Sequence, residues 1–366
     1  MASQAARLQR FKAAMKKVYG SFEDTANWRV PPLPGNSGHR GRYLWTDAFG
    51  VVNFVTLRYA TGEERYLEAA KRLVQTVHDT LGRTRDGSSR LSGASDTEPL
   101  KGGLRIGKVD EGGPDGDGQY HHYLTLWMFA LNCLAVASKE VRYNDLAIRL
   151  AQAIHPCFIV KNNGVEEPSM VWKVSTDMSR PLSRSKGHLD DVMGYVVFER
   201  LDSVAHWFGQ GDDQPLLAEK EQYLHMMTRS RPLQSSTDML DLGMSLWSAQ
   251  FHSRQGDELL RELGTHGSSI AREIFVEQNG PCSSLHKSAG RRLAFRELGA
   301  CLGIKCYSND ADVVANADAV VEFWESHAEE SAPDDLMAIT QVMLAAALIP
   351  GAFDLSYPDG RKLEDS

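Results

Sequence analysis

Residues 42–59, RYLWTDAFGVVNFVTLRY, are apolar nearly throughout, while residues 63–81, EERYLEAAKRLVQTVHDTL, are apolar along one side only. Ala60, Thr61 and Gly62 alone separate the two stretches, so the chain must fold back on itself as a helical hairpin. The pattern recurs at 120–137 with 141–155, 188–207 with 213–229, 237–253 with 257–275, and 291–302 with 310–328. A last apolar helix at 334–348 has no following partner and a helix at 4–18 has no preceding one, so these two complete a sixth pair.

The turns between paired helices share a loose signature, seen in ATGEERYLEAA, SKEVRYNDLA and SRQGDELLREL, which marks a helical repeat. In each pair the first helix is the more apolar, as an inner ring buried on all sides requires, and the second is amphipathic, as an outer ring requires. The expectation is an all-α fold: a single (α/α)6 barrel over residues 1–366, six hairpins in two rings, with a flexible tail at 355–366. Connections within pairs are short. Those between pairs are long at 19–41, 82–119, 156–187 and 276–290, so long loops gather at the rim where inner helices begin.

ATGEERYLEAAKRLV resembles the hairpin turn of the six-hairpin glycosidase-like superfamily, and six pairs across nearly the whole chain are similar to its architecture. The resemblance implies an enzyme related to glycoside hydrolases, unsaturated-uronide hydrolases, or sugar epimerases and isomerases. It matches no single member family residue by residue, so it assigns no catalytic group.

Composition narrows the alternatives. A net charge of −8 argues against a nucleic-acid binder held by phosphate contacts. No run approaches the ~18 consecutive apolar residues of a membrane span. The basic, amphipathic N-terminus lacks the apolar core of a secretory signal, which makes a cytoplasmic location the expectation. Five cysteines form no CxxC pair and read as reduced thiols. Neither a metal nor a cofactor is called for, and the expected partner is a small-molecule substrate, anionic if the basic loops face it.

Function must lie at the rim, where inner-helix N-termini favour anionic or oxygen-rich ligands. Asp47 opens the first inner helix, either as a first-turn acid or as a carboxylate in the mouth, with Trp45 as a stacking platform for sugar. The loop GGLRIGKVDEGGPDGDGQYHHY (102–123) offers Arg105 and Lys108 for binding and feeds Tyr120, His121 and His122 into the second inner helix. It is neither a Walker loop nor a calcium loop. Across the barrel, MVWKVSTDMSRPLSRSKGHLDDVMGY (170–195) carries Trp172, Lys173 and Arg184 towards His188, Asp190 and Asp191. Two adjacent acids exceed what capping needs, so one is expected to project inward. Asp238 and Asp241 open the fourth inner helix, as caps or as ligand-binding acids. Arg291, at the fifth, opposes the helix dipole and so calls for an anionic ligand or a partner carboxylate.

Carboxylates set across a sugar can act as acid and base. Glycoside hydrolysis is therefore the leading expectation, with Asp190 or Asp191 as acid, Asp47 as complement, and His121, His122 or His188 assisting. The alternatives are a sugar epimerase or isomerase using histidine proton transfer, a magnesium-dependent lyase or cyclase ionising a diphosphate, and a non-catalytic binding toroid.

Overall fold

The computed structural model describes residues 4–357, except 26, 36, 114, 162–167, 211–213, 231–232, 252–256, 278–291 and 332. Twelve α-helices run through them: α1 (Gln4–Tyr19), α2 (Leu44–Thr61), α3 (Arg65–Leu81), α4 (His121–Ser138), α5 (Arg142–Phe158), α6 (Asp190–Trp207), α7 (Leu217–Arg229), α8 (Met239–Ala249), α9 (Asp257–Arg272, prolonged by a π turn at Glu273–Glu277), α10 (Ala294–Tyr307), α11 (Ala311–Ser331) and α12 (Met337–Leu348).

The six even-numbered helices form an inner ring, each packed on the next, and α12 packs on α2 to close it. Helices α3, α5, α7, α9 and α11 each lie against the inner helix before them in sequence, and α1 lies against α12. This is the expected (α/α)6 barrel. Burial follows the sequence pattern: every residue of α2 from Leu44 to Leu57 is buried, whereas α3 buries only the stripe Tyr66, Leu67, Ala69, Ala70, Leu73, Val74, Val77, His78 and Leu81.

The hairpin turn is set by Gly62, which adopts φ +74° and donates its N–H to the Arg58 carbonyl at 2.8 Å. Glycine also permits a close approach in the inner ring. A Cβ on Gly243 would lie 2.1 Å from the Gly299 carbonyl oxygen, and one on Gly303 would lie 2.0 Å from that of Gly243, so α8 and α10 meet backbone to backbone.

Two short antiparallel ladders brace the rim, Gln119–Tyr120 with Lys173–Val174 and Ile159–Lys161 with Pro168–Met170. The far end of the barrel is filled by the chain after α12. Phe353 is buried against Phe49 of α2 and Phe129 of α4, and its carbonyl accepts from Nε1 of Trp247 on α8. It thus touches three inner helices at once and lies near the barrel axis. The first residues of the expected flexible tail are held in place. Leu355 donates its N–H to Gln250 Oε1 and the Tyr357 ring packs on Tyr59, so residues 355–357 are docked, while 358–366 fall outside the described residues. Among the described residues no helix is long and apolar enough to cross a membrane.

Candidate active site

At the rim, the starts of α4, α6 and α8 converge. Asp190, in the first turn of α6, is buried and accepts the Gly187 N–H at 2.7 Å through Oδ2. Its Oδ1 faces two imidazoles, with Nδ1 of His121 at 3.8 Å and Nδ1 of His122 at 3.7 Å. His121 is wholly buried and its Nε2 lies 2.6 Å from the Tyr223 hydroxyl of α7. The His122 side chain keeps 29% exposure and opens to the mouth.

The carboxyl groups here are pushed apart in acidity. Burial alone would raise Asp190, but the His122 and His121 rings and the Gly187 N–H outweigh it and hold the group below the ordinary carboxylate range. Burial forces His121 down to about 4, so near neutrality it faces Asp190 as a neutral ring. Asp241, in the first turn of α8, moves the other way. Burial and the neighbouring Asp238 raise it, against the pull of His188, Arg296 and His122. Among the described residues no hydrogen bond or ion pair holds the Asp241 carboxylate. His122 therefore acts on both acids, the ionised Asp190 and the more readily protonated Asp241.

Capping accounts for Asp238 instead. Its Oδ1 accepts from Leu240 and Asp241 N–H groups, and its Oδ2 takes Arg296. Asp191 is likewise occupied: its Oδ2 takes Lys186 Nζ at 2.5 Å, and the same ammonium donates to Ser230 Oγ. His188 is exposed, with Nε2 2.7 Å from the Gln234 carbonyl.

Around these groups stands an aromatic wall. Tyr120 and Trp172 meet edge to face at 4.7 Å, both half-buried, and Tyr43 and Tyr123 join hydroxyls at 2.9 Å. Lys108 lies over Tyr43 at 5.8 Å. Trp45 is different from expectation. Its ring is buried against Phe49, His122 and Tyr123, with no hydrogen-bond partner for Nε1, so it underlies His122 and offers no open stacking face.

Three further expectations are corrected. Asp47 does not face the mouth: it is fully buried and points outward between rings, to Arg42 at 3.2 Å and the Tyr19 hydroxyl at 3.1 Å. Arg105 is fully buried and donates to Asp117, to the Arg83 carbonyl and to the Thr80 carbonyl, so it holds its own loop together. Lys173 is buried under Tyr120 and donates to the Gly116 carbonyl at 2.7 Å. Arg184 is exposed beside Lys186, lining a rim cavity of ≈ 350 Å³ with Ser169, Met170, Met226 and Arg229. Arg291 lies outside the described residues.

Tyr223, Tyr123 and Arg296 complete the site without having been singled out from sequence. Tyr223 sits on an outer helix 102 residues from His121, and no local pattern signals that pairing. Among the described residues no three metal-ligating side chains come together.

By sequence, no protein-family model and no curated protein matches this chain. By structure it is similar to a family 76 glycoside hydrolase from a bovine Bacteroides thetaiotaomicron strain, with TM-score 0.62 and 13% identity over 96% of this chain and 78% of that one. It is also similar to a family 76 α-1,6-mannanase from Salegentibacter sp. (TM-score 0.56, 11% identity, 94% and 99% covered). A sugar epimerase from a ruminal bacterium matches at TM-score 0.53 and 11% identity, with 92% and 98% covered. At such identities the likeness establishes the shared barrel, and the chemistry must be argued from this chain's own residues.

Proposed function

We propose that this chain is a carbohydrate-active enzyme that hydrolyses a glycosidic bond at the barrel mouth. The observation that carries this is the pair Asp190 and Asp241, at the starts of two neighbouring inner helices and with His122 3.7 Å from Asp190; their environments drive their acidities in opposite directions. Such divergence assigns an acid and a base. Asp241 holds the proton and gives it to the glycosidic oxygen as the bond to the anomeric carbon breaks. Asp190, ionised, faces the positive charge that develops on the sugar ring, or takes a proton from the water that attacks it. One water is consumed, and a hemiacetal and an alcohol are released.

The fold is that of hydrolases described as acting on α-mannans, and an inactive variant of the Salegentibacter enzyme carries alanines at two adjacent aspartates. Asp190 and Asp191 are the corresponding kind of pair to test, singly and together. Tyr120 and Trp172 supply partly exposed rings for the apolar face of a sugar. With Arg105 and Lys173 committed inside the fold and Arg296 paired with Asp238, any negative charge on the substrate would be met by Lys108 or Arg184.

The test is hydrolysis of a panel of manno-oligosaccharides and other oligosaccharides by the purified chain, read as new reducing ends, with Asp190→Asn and Asp241→Asn beside it. Both variants should lose nearly all turnover while still folding. Absence of product from every substrate, or wild-type rates in both variants, would remove the proposal.

A second reading rests on His122, which stays partly open while a carboxylate backs it, the arrangement of a positioned proton-transfer base. The likeness to a sugar epimerase supports sugar epimerisation or isomerisation as the reaction of this second reading. Deuterium uptake at the carbon beside the anomeric centre of a free monosaccharide, lost in His122→Ala or His188→Ala but without reducing-end release from oligosaccharides, would select it over hydrolysis.

A further inference from the structure

The contact between His121 and Tyr223 admits two proton arrangements, and the surroundings distinguish them. If the imidazole donates from Nε2, the Tyr223 hydroxyl must accept, and its own hydrogen is left without a described partner inside the protein. The His121 Nδ1 lone pair would then point at the Asp190 carboxylate, 3.8 Å away. If Tyr223 donates to Nε2, the imidazole proton lies on Nδ1 and faces Asp190. The first arrangement leaves a buried donor unsatisfied and sets a lone pair against an anion; the second does neither.

The groups around His121 agree with the second. Asp190 of α6, His122 of α4, His155 of α5 and Tyr223 of α7 are the titratable side chains acting on it or touching it, and Phe158 covers one edge of the ring. The imidazole is wholly buried, and Nδ1 has no hydrogen-bond partner, so it is aimed at Asp190 with nothing else to donate to. Burial holds His121 neutral near pH 7 and holds the Tyr223 hydroxyl protonated, so a single mobile proton decides the tautomer.

We infer that Tyr223 is a positioning residue: its hydroxyl donates to Nε2 of His121 and fixes the tautomer that turns an N–H, and not a lone pair, towards Asp190. A side chain on an outer helix thereby controls the charge on a group at the mouth. The inference deepens the hydrolytic reading by adding a residue that touches no substrate, but its first test needs no turnover.

That test is ¹⁵N NMR of the folded chain labelled at histidine, with His121 assigned by the signal lost in His121→Gln. The wild type should show Nδ1 protonated and Nε2 bare. Nε2 protonated in the wild type overturns the inference, whatever the variants do. In Tyr223→Phe the pattern should shift to Nε2–H or to an exchanging mixture; an unchanged Nδ1–H form also overturns it. If the oligosaccharide assay succeeds, Tyr223→Phe should lower kcat about tenfold near pH 7, where His121 is neutral and its tautomer is defined, with little change in KM. An unchanged kcat at that pH would again overturn the inference. A failed assay beside the expected tautomer removes the hydrolytic reading alone.

Discussion

Arg105 and Asp117 form an ion pair at 2.6 Å with both side chains wholly buried, inside a loop whose sequence looks like a ligand-binding surface. Asp117 also accepts from Arg85 and from the N–H groups of Gly107, Lys108 and Gly118, so one carboxylate gathers the segment around itself. Removing one partner of a buried pair leaves an uncompensated charge. Arg105→Met should therefore cost about 3 kcal/mol in urea unfolding. If substrate affinity drops while stability stays unchanged, Arg105 belongs to the binding surface after all.

The acid and base roles predict a bell-shaped pH–rate profile. Asp190 must be ionised, so its limb rises with pH through a pKa below the ordinary range; Asp241 must be protonated, so the rate falls as pH rises through its elevated one. Asp241→Asn should lower the rate by about 10²–10⁴-fold and abolish the alkaline limb for substrates with ordinary leaving groups. A substrate whose leaving group needs no proton should recover much of the lost rate. An alkaline limb that survives in Asp241→Asn would show that another group is the acid.

His78 supplies an acid-sensitive lock. It lies in the core, accepts the Trp127 indole N–H at 3.2 Å, and is pushed by burial from 6.5 down to about 3. Its folded pKa is below its unfolded one, so its contribution is complete above pH 6.5 and is lost as pH falls towards 3. Between pH 6.5 and pH 5 that loss amounts to about 2 kcal/mol. His78→Gln, which keeps an acceptor for Trp127, should flatten the pH dependence of stability by that amount. An unaltered slope would place the titration elsewhere.

Phe353 joins three inner helices at the far end of the barrel. Phe353→Ala should destabilise the fold by about 3–5 kcal/mol, measured by urea unfolding, through the cavity left between Phe49, Phe129 and Trp247. A loss below 1 kcal/mol would mean that the segment rests against the barrel without supporting it.

The barrel was legible because its information is local. Apolar periodicity and three-residue turns specify hairpins, and six hairpins of alternating character leave one architecture. The start of α6 was legible too, since two adjacent acids at a helix N-terminus exceed what a cap needs. Asp47 at an inner-helix start and Arg105 in a glycine-rich loop both look mouth-facing in sequence, while the partner that buries each, Arg42 or Asp117, is chosen by the fold. Asp238 and Asp241 were read together as caps or ligands. The structure divides them: Asp238 satisfies the helix end and leaves Asp241 unclaimed. Tyr223 could not be found at all, since its partner belongs to a different hairpin.

The pairing of α1 with α12, and of α12 with α2, sets a timetable for synthesis. Each hairpin can form as it emerges from the ribosome, but the first inner helix keeps an uncovered apolar flank until residues 337–348 arrive to cover it. The nascent chain therefore carries an open, adhesive edge from the synthesis of the first inner helix until that of residues 337–348, the condition under which chaperones bind growing chains.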